Sequence, residues 1–298
     1  RLGEKELEGT HFGLEVGMFG VAVVTRIGPD VTECKPGDKV VVGVKGMARR
    51  YITTRLDQGL FVATSPNLST SDYNAMVPMM TAHYSIYYAA NVMPDDVVLV
   101  HGGAGGVGMA SIQAAKLAGA RVIATASTEE RREAARQMGA DEVLDSRSLN
   151  FVEDVLALTD GHGADVIISS APGEFITANL KVAAEFGRVI EVGKFDIFTK
   201  RMISLSPFKK NLSFISIDID RMVAFKPKLV GQLHAEVMQL LHEGKYKPLP
   251  GHLIPLTKAQ EAFDMVLRSK HIGRVMLDFT EPNLLIKPSI PETEIDSN

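Results

Sequence analysis

The chain has 298 residues, 45% of them hydrophobic and 23% charged, with a formal net charge of -4. That length accommodates two domains, each with its own core. The charge supplies no electrostatic reason to bind nucleic acid or an anionic membrane surface, and no run of about 18 apolar residues is present to span a bilayer. Cys34 is the single cysteine, which excludes an intrachain disulfide and a thiolate zinc site and accords with a reducing, cytoplasmic location. In its turn-rich setting Cys34 reads as structural rather than nucleophilic. The chain opens Arg1-Leu2-Gly3-Glu4, with no initiator Met and no apolar leader, and is expected to be part of something longer.

Residues 21–27 read as a strand, followed by the turn Gly28-Pro29-Asp30; Pro36-Gly37-Asp38 is a second turn before the apolar strand 40–44. Closely spaced short strands predict a small barrel-like β unit over the first ~90 residues. The pattern changes near Pro94. Apolar strands at 97–100, 121–125, 142–144, 165–169, 187–193 and 212–217 are predicted to alternate with helices at 107–117, 129–138, 151–158 and 176–184. That alternation points to a parallel sheet covered on both faces. A helix over 228–242, strands at 253–256 and 273–277 and a helix over 259–268 complete the ordered part. Residues 281–298, with prolines and acids but no periodicity, read as a linker or disordered tail.

The most informative segment is Leu99-Val100-His101-Gly102-Gly103-Ala104-Gly105-Gly106-Val107-Gly108, a strand running into clustered glycines and then a helix. Such a turn lets bare backbone approach a pyrophosphate, whose charge meets the helix-start amides. Gly103, Ala104, Gly105, Gly106, Val107 and Gly108 are therefore assigned to a dinucleotide. The end of the next strand chooses the cofactor. An acid there would bind NAD ribose hydroxyls; instead Ser127 and Thr128 precede Arg131 and Arg132, hydroxyls and guanidinium groups suited to the 2′-phosphate of NADPH. Ser127 with Glu130 also reads as a capping box, and both roles can coexist. Ser146 and Arg147 are placed in the same pocket. His101 and His83 are more readily structural than acid–base groups.

At these residues the sequence resembles the enoyl-reductase domains of polyketide synthases, within the zinc-free, quinone-reductase-like medium-chain dehydrogenases. The match rests on Gly105-Gly106-Val107-Gly108, Ala124-Thr125-Ala126-Ser127-Thr128-Glu129-Glu130-Arg131-Arg132, Leu144-Asp145-Ser146-Arg147-Ser148-Leu149 and Val192-Gly193-Lys194-Phe195-Asp196-Ile197, and extends over about 13–279. The resemblance implies an α/β fold: a doubly wound parallel sheet (Rossmann) NADP-binding domain at 93–245, plus a partly truncated GroES-like β-rich substrate domain at 1–92 and 246–280. Relatives usually begin with an additional strand pair and loop, after which this chain is expected to start. Zinc dehydrogenases of the fold carry a metal-binding histidine in the segment matching Gly13-Leu14-Glu15, and Leu14 cannot replace it.

The resemblance also implies the chemistry: NADPH delivers hydride to the β-carbon of an α,β-unsaturated acyl thioester, and the α-carbon is protonated. Lys194 and Asp218 match the family's proposed catalytic pair, with Asp196 in reserve. Lys194 could instead pair with Asp196, and Asp218 with Arg221. Thr81, Ser169, Ser170, Ala171 and Gly193 match segments lining the nicotinamide and ribose, and Arg274 matches a basic residue near the pyrophosphate. Met79-Met80 replaces the usual lining beside Thr81. An acyl carrier protein, neighbouring synthase domains and a second copy in a homodimer are the implied partners; Lys209 and Lys210 either receive the carrier or are merely solvated. A free-standing quinone or enone reductase and a non-catalytic synthase module are the alternatives.

Overall fold

A computed structural model describes residues 15, 17–56, 60–62, 69, 73 and 75–280. Gly13, Leu14 and the 281–298 tail lie outside the described residues.

The centre is a six-stranded parallel sheet built from β4 (Val97–Val100), β5 (Arg121–Ala126), β6 (Glu142–Asp145), β7 (Ala164–Ser169), β8 (Ala183–Glu191) and β9 (Ser213–Ser216), in the order β6-β5-β4-β7-β8-β9. These strands form because their side chains are apolar on both faces: Val98, Leu99, Val100, Val122 and Ile123 are all essentially inaccessible. One face packs on α2 (Gly106–Leu117) and on α8 (Pro227–His242), through Val230, Leu233 and Val237. The other packs on α4 (Phe151–Leu158) and α5 (Glu174–Val182), through Phe151, Val155, Ile176 and Leu180. The remaining helices are α1 (Met76–His83), α3 (Glu129–Gln137), α6 (Phe195–Phe198), α7 (Ile219–Phe225) and α9 (Ala259–Leu267). None of the described helices is long and apolar enough to cross a membrane.

Strand β4 pairs with β5 on one side and β7 on the other. The chain thus reverses its winding direction at the carboxyl end of β4, where doubly wound sheets open a crevice.

The described part of the first ~90 residues includes a three-stranded antiparallel sheet of β1 (Gly20–Val23), β2 (Lys39–Val42) and β3 (Leu60–Val62). One expectation is corrected: this part also contains α1, which continues as a π-helical turn over Tyr84–Ala89 and had no counterpart in the periodicity. Pro78 masks this helix in the sequence, yet it sits in the first turn, where its missing N–H costs no intrahelical bond. Met79 and Met80 are core residues of α1. The two C-terminal strands, β10 (Gly251–Pro255) and β11 (Arg274–Asp278), pair parallel as a small separate sheet.

Candidate active site

The crevice at the end of β4 is formed by the glycine turn. The turn is tied to the sheet by Gly103 N donating to Thr125 O at 2.8 Å and His101 N to Ile168 O at 3.0 Å. Gly102 takes a positive φ of 64°, and a Cβ at Gly108 would stand 2.2 Å from Gly102 O. Glycine is required at both positions, for conformation at the first and for close approach at the second. Helix α2 begins at Gly106, so the amides of Gly106, Val107 and Gly108 have no intrahelical acceptor and carry the positive end of the helix dipole.

A cavity of about 420 Å³ opens from this turn and is lined by Gly105 to Gly108, Ser169, Ser170, Val192, His271, Gly273 and Arg274. The C-terminal segment closes one side: Gly273 N donates to Ala104 O at 2.8 Å and Gly105 bridges Gly273. Arg274 lies with its stem against Gly106, where an added Cβ would come within 2.7 Å of its Cδ. Its buried Nε has no hydrogen-bond partner, and it pairs with no carboxylate among the described residues; burial disfavours its charge. A half-buried guanidinium with no carboxylate partner among the described residues, beside free helix-start amides, is the chemistry of a phosphate site.

The ends of β5 and β6 bring Ser127, Arg132, Asp145, Ser146 and Arg147 into one cluster. Arg147 binds Asp145 at 2.6 Å, and that contact, with a weaker contribution from Arg132, pulls the Asp145 carboxyl down to about 2. Arg132 also bonds Glu129 at 2.9 Å. The cap of α3 falls on Thr128, whose hydroxyl accepts from Arg131 N at 3.4 Å. This corrects the assignment to Ser127, and no capping box forms because Arg131 occupies the position a Glu would need. The Arg131 guanidinium is committed elsewhere: it donates to Ser269 O at 2.5 Å and His271 O at 2.8 Å, holding the segment that leads into the cavity wall.

Ser169 is buried, and its hydroxyl accepts from Ala171 N at 3.2 Å. Thr81 donates to Val77 O at 2.8 Å inside α1 and is not part of the cavity wall. His101 does line the cavity, but it is a structural tether. It bonds Asn179 at 2.8 Å and Thr125 at 3.2 Å, and burial pushes it down to about 4, so it is uncharged at neutral pH. His83 is likewise engaged, with Tyr246 at 2.9 Å and Glu236 at 3.0 Å.

Lys194 stands three residues beyond the end of β8 at Glu191. Its ammonium lies 3.0 Å from Asp218 and closer still to Asp220, which is almost fully buried. Burial opposes the charge on Lys194, but Asp220 and then Asp218 outweigh it and hold the ammonium above the usual lysine range. Asp218 also caps α7, accepting from Asp220 N at 3.1 Å and Arg221 N at 3.3 Å. Asp196 does not pair with Lys194. It accepts from Gly173 N at 2.7 Å and meets Arg201 at 3.5 Å. Sequence reasoning missed Asp220; the Asp-Ile-Asp spacing at 218–220 was the available signal. It also missed Glu191, a buried carboxyl whose Oε1 accepts from Gly193 N at 2.6 Å. Lys210 caps α5 through the carbonyls of Lys181 and Ala183, which leaves Lys209 as the exposed member of that pair. Among the described residues no group of three or more His, Cys, Asp or Glu side chains is placed to hold a metal ion.

Residues 106–225 match the family model described as zinc-binding dehydrogenase. The chain is 36% identical over 272 residues, 89% of its length, to a mycocerosic acid synthase-like polyketide synthase of Mycobacterium tuberculosis, and covers 12% of that protein. It is 35% identical over 293 residues, 95% of its length, to highly reducing polyketide synthase 40 of Fusarium mangiferae, again covering 12%. The chain thus spans about one eighth of the curated relatives it matches. Among solved structures, the CurK enoyl reductase superposes with a TM-score of 0.80 at 30% identity, over 92% of this chain and 84% of that one. The glycine turn, the six-stranded sheet and these similarities together establish that the chain belongs to the family of polyketide-synthase enoyl-reductase domains, oxidoreductases of the medium-chain dehydrogenase fold.

Proposed function

We propose that the chain is an NADPH-dependent, zinc-independent enoyl reductase acting on an α,β-unsaturated acyl thioester borne by an acyl carrier protein, as one domain of a cytoplasmic multidomain synthase. The observation that supports this reading is one cavity that holds the glycine turn and Arg274 together with Ser169, Ser170 and Val192, two residues before Lys194 in the chain. Gly106 to Gly108 and Arg274 would hold the pyrophosphate. Ser127, Thr128, Arg132, Ser146 and Arg147 would receive the 2′-phosphate, which can displace the exposed carboxylates now paired with the two arginines. When bound, the cofactor supplies hydride to the β-carbon.

Lys194 does the rest with this chain's own atoms. Its ammonium offsets the negative charge that develops on the thioester oxygen and holds a proton for the α-carbon. Asp218 and Asp220 keep it charged between turnovers. Zinc independence is supported by the donor set, with Leu14 where relatives bearing metal have histidine and a single cysteine in the chain. The test compares crotonyl-pantetheine with a small quinone under NADPH and NADH. Preference for the thioester with NADPH supports the reading, and Lys194→Ala slows it by about tenfold or more at unchanged NADPH affinity. Quinone preference instead identifies a free-standing type of reductase, and failure to bind NADPH a non-catalytic module.

A further inference from the structure

Glu191 is the last residue of β8, paired in register with Ser169 on one side and Ser216 on the other. It therefore stands at the carboxyl edge of the sheet, where the cofactor cleft opens. A charged side chain at that place is expected to reach solvent or a cation, and Glu191 does neither. It is 3% exposed and makes no ion pair among the described residues; its Oε2 is buried without a hydrogen-bond partner. Its closest donor is main chain, Gly193 N at 2.6 Å from Oε1, and the Ser169 hydroxyl also bonds the carboxyl.

The local geometry is built around that contact. A Cβ on Gly193 would lie 2.5 Å from Glu191 Oε1 and 3.1 Å from both Cα and O of Ser170. A side chain at 193 would displace the carboxyl from this position and press on the Ser170 backbone. The bond closes a short loop through Val192, which lines the cleft, and the next residue after Gly193 is Lys194. Val192 N also donates to Ser169 O at 2.8 Å. One carboxyl thus joins the wall of the cleft to the start of the lysine cluster.

We propose that Glu191 is a positioning residue for Lys194: its buried carboxyl clamps the Gly193 amide and sets the turn that carries Lys194 from the cofactor wall to Asp218 and Asp220. The clamp works in the protonated form. An uncharged carboxyl offers its carbonyl to Gly193, whereas an ionised one would leave a second charge-bearing oxygen buried and unpaired. Of the groups facing it, the Asp196 carboxylate from the start of α6 favours the protonated form, the Gly193 amide and the Ser169 hydroxyl from β7 favour the ionised one, and Lys194, which would stabilise a negative charge, is turned away to its own two acids. Burial, aided by Asp196, outweighs the opposing Gly193 amide and Ser169 hydroxyl and pushes the Glu191 carboxyl up to about 8.

The proposal rests on Lys194 acting at the substrate, so the experiment includes a readout that needs no turnover. Wild type, Glu191→Gln and Glu191→Ala are compared for kcat on crotonyl-pantetheine, NADPH affinity, and the Nζ titration of Lys194 by ¹⁵N NMR, assigned by its loss in Lys194→Arg. Glutamine mimics the protonated carboxyl. Glu191→Gln should hold kcat within about threefold of wild type at pH 7 and stay flat to pH 9, where wild type declines as Glu191 ionises. Glu191→Ala should lower kcat about tenfold or more, the rate equivalent of one lost buried hydrogen bond. Its NADPH affinity should be kept, while the Lys194 Nζ pKa falls.

An alanine variant with wild-type kcat and an unmoved Lys194 titration overturns the proposal. So does a folded glutamine variant as slow as alanine, because the ionised form would then be the one needed. If alanine does not fold, the glutamine pH profile decides: flat supports the clamp, and a decline identical to wild type refutes it. If wild type reduces no enoyl thioester, the functional reading fails separately, and the Lys194 titration still decides the role of Glu191.

Discussion

Replacing Arg274 by methionine separates what the cleft is for from what holds the fold together. Methionine keeps an apolar stem against Gly106 and removes the guanidinium, whose Nε is buried and unpartnered. Without a bound anion that charge is a liability, since a half-buried ion with no counter-charge loses hydration that nothing replaces. With a phosphate present the balance reverses, because hydrogen bonds to charged groups contribute about 1.5–3 kcal/mol. Arg274→Met should therefore raise the melting temperature of the free chain while weakening NADPH binding by roughly 10- to 150-fold. Thermal melts with and without NADPH, together with a fluorescence titration, measure both effects on one preparation. The reasoning is refuted if the variant binds NADPH within about twofold of wild type, or if the free chain melts lower; in the second case Arg274 would be a structural ion whose partner lies elsewhere.

Gly108→Ala drives a methyl group to 2.2 Å from Gly102 O, and because both neighbours are backbone the turn must open; NADPH binding should be abolished with a stability loss of about 1–3 kcal/mol, read by titration and urea unfolding. Arg131→Ala cuts the tie to Ser269 and His271, so it should weaken NADPH and NADH alike through the loosened cavity wall. A loss confined to NADPH would instead make Arg131 a direct reader of the 2′-phosphate. The raised Glu191 carboxyl binds its proton more tightly in the folded than in the unfolded chain. Stability should therefore fall as pH rises from the ordinary carboxylate range to about 8, by at most about 1.4 kcal/mol per pH unit. Glu191→Gln should remove that slope in chemical denaturation measured between pH 5 and 8, and an unchanged slope would assign it to other groups.

Much of the parallel-sheet half was legible residue by residue. Runs such as Val97 to Val100 and Val166 to Ile168 are apolar on every side chain, which only a sheet covered on both faces tolerates, and each is followed by an amphipathic segment. The glycine turn was readable for the same local reason: its strand, turn and helix are contiguous, and the positive φ at Gly102 and close approach at Gly108 are demands met by neighbours within six residues. Less was legible before residue 90, where Pro78 disguised a helix.

What the amino-acid order determined by itself is the alternation of strands and helices and the place of the glycine turn, because hydrophobic period and glycine geometry act over a few residues. The partners of the long charged side chains were decided only in three dimensions. Lys194 had Asp196 two positions away and took Asp218 and Asp220 from the next strand's end; Arg131 left the expected phosphate pocket for carbonyls near residue 270, while Arg274 stayed unpaired in the cleft. A flexible side chain selects its partner by distance through space and by the cost of burial, and neither quantity exists until the strands are packed.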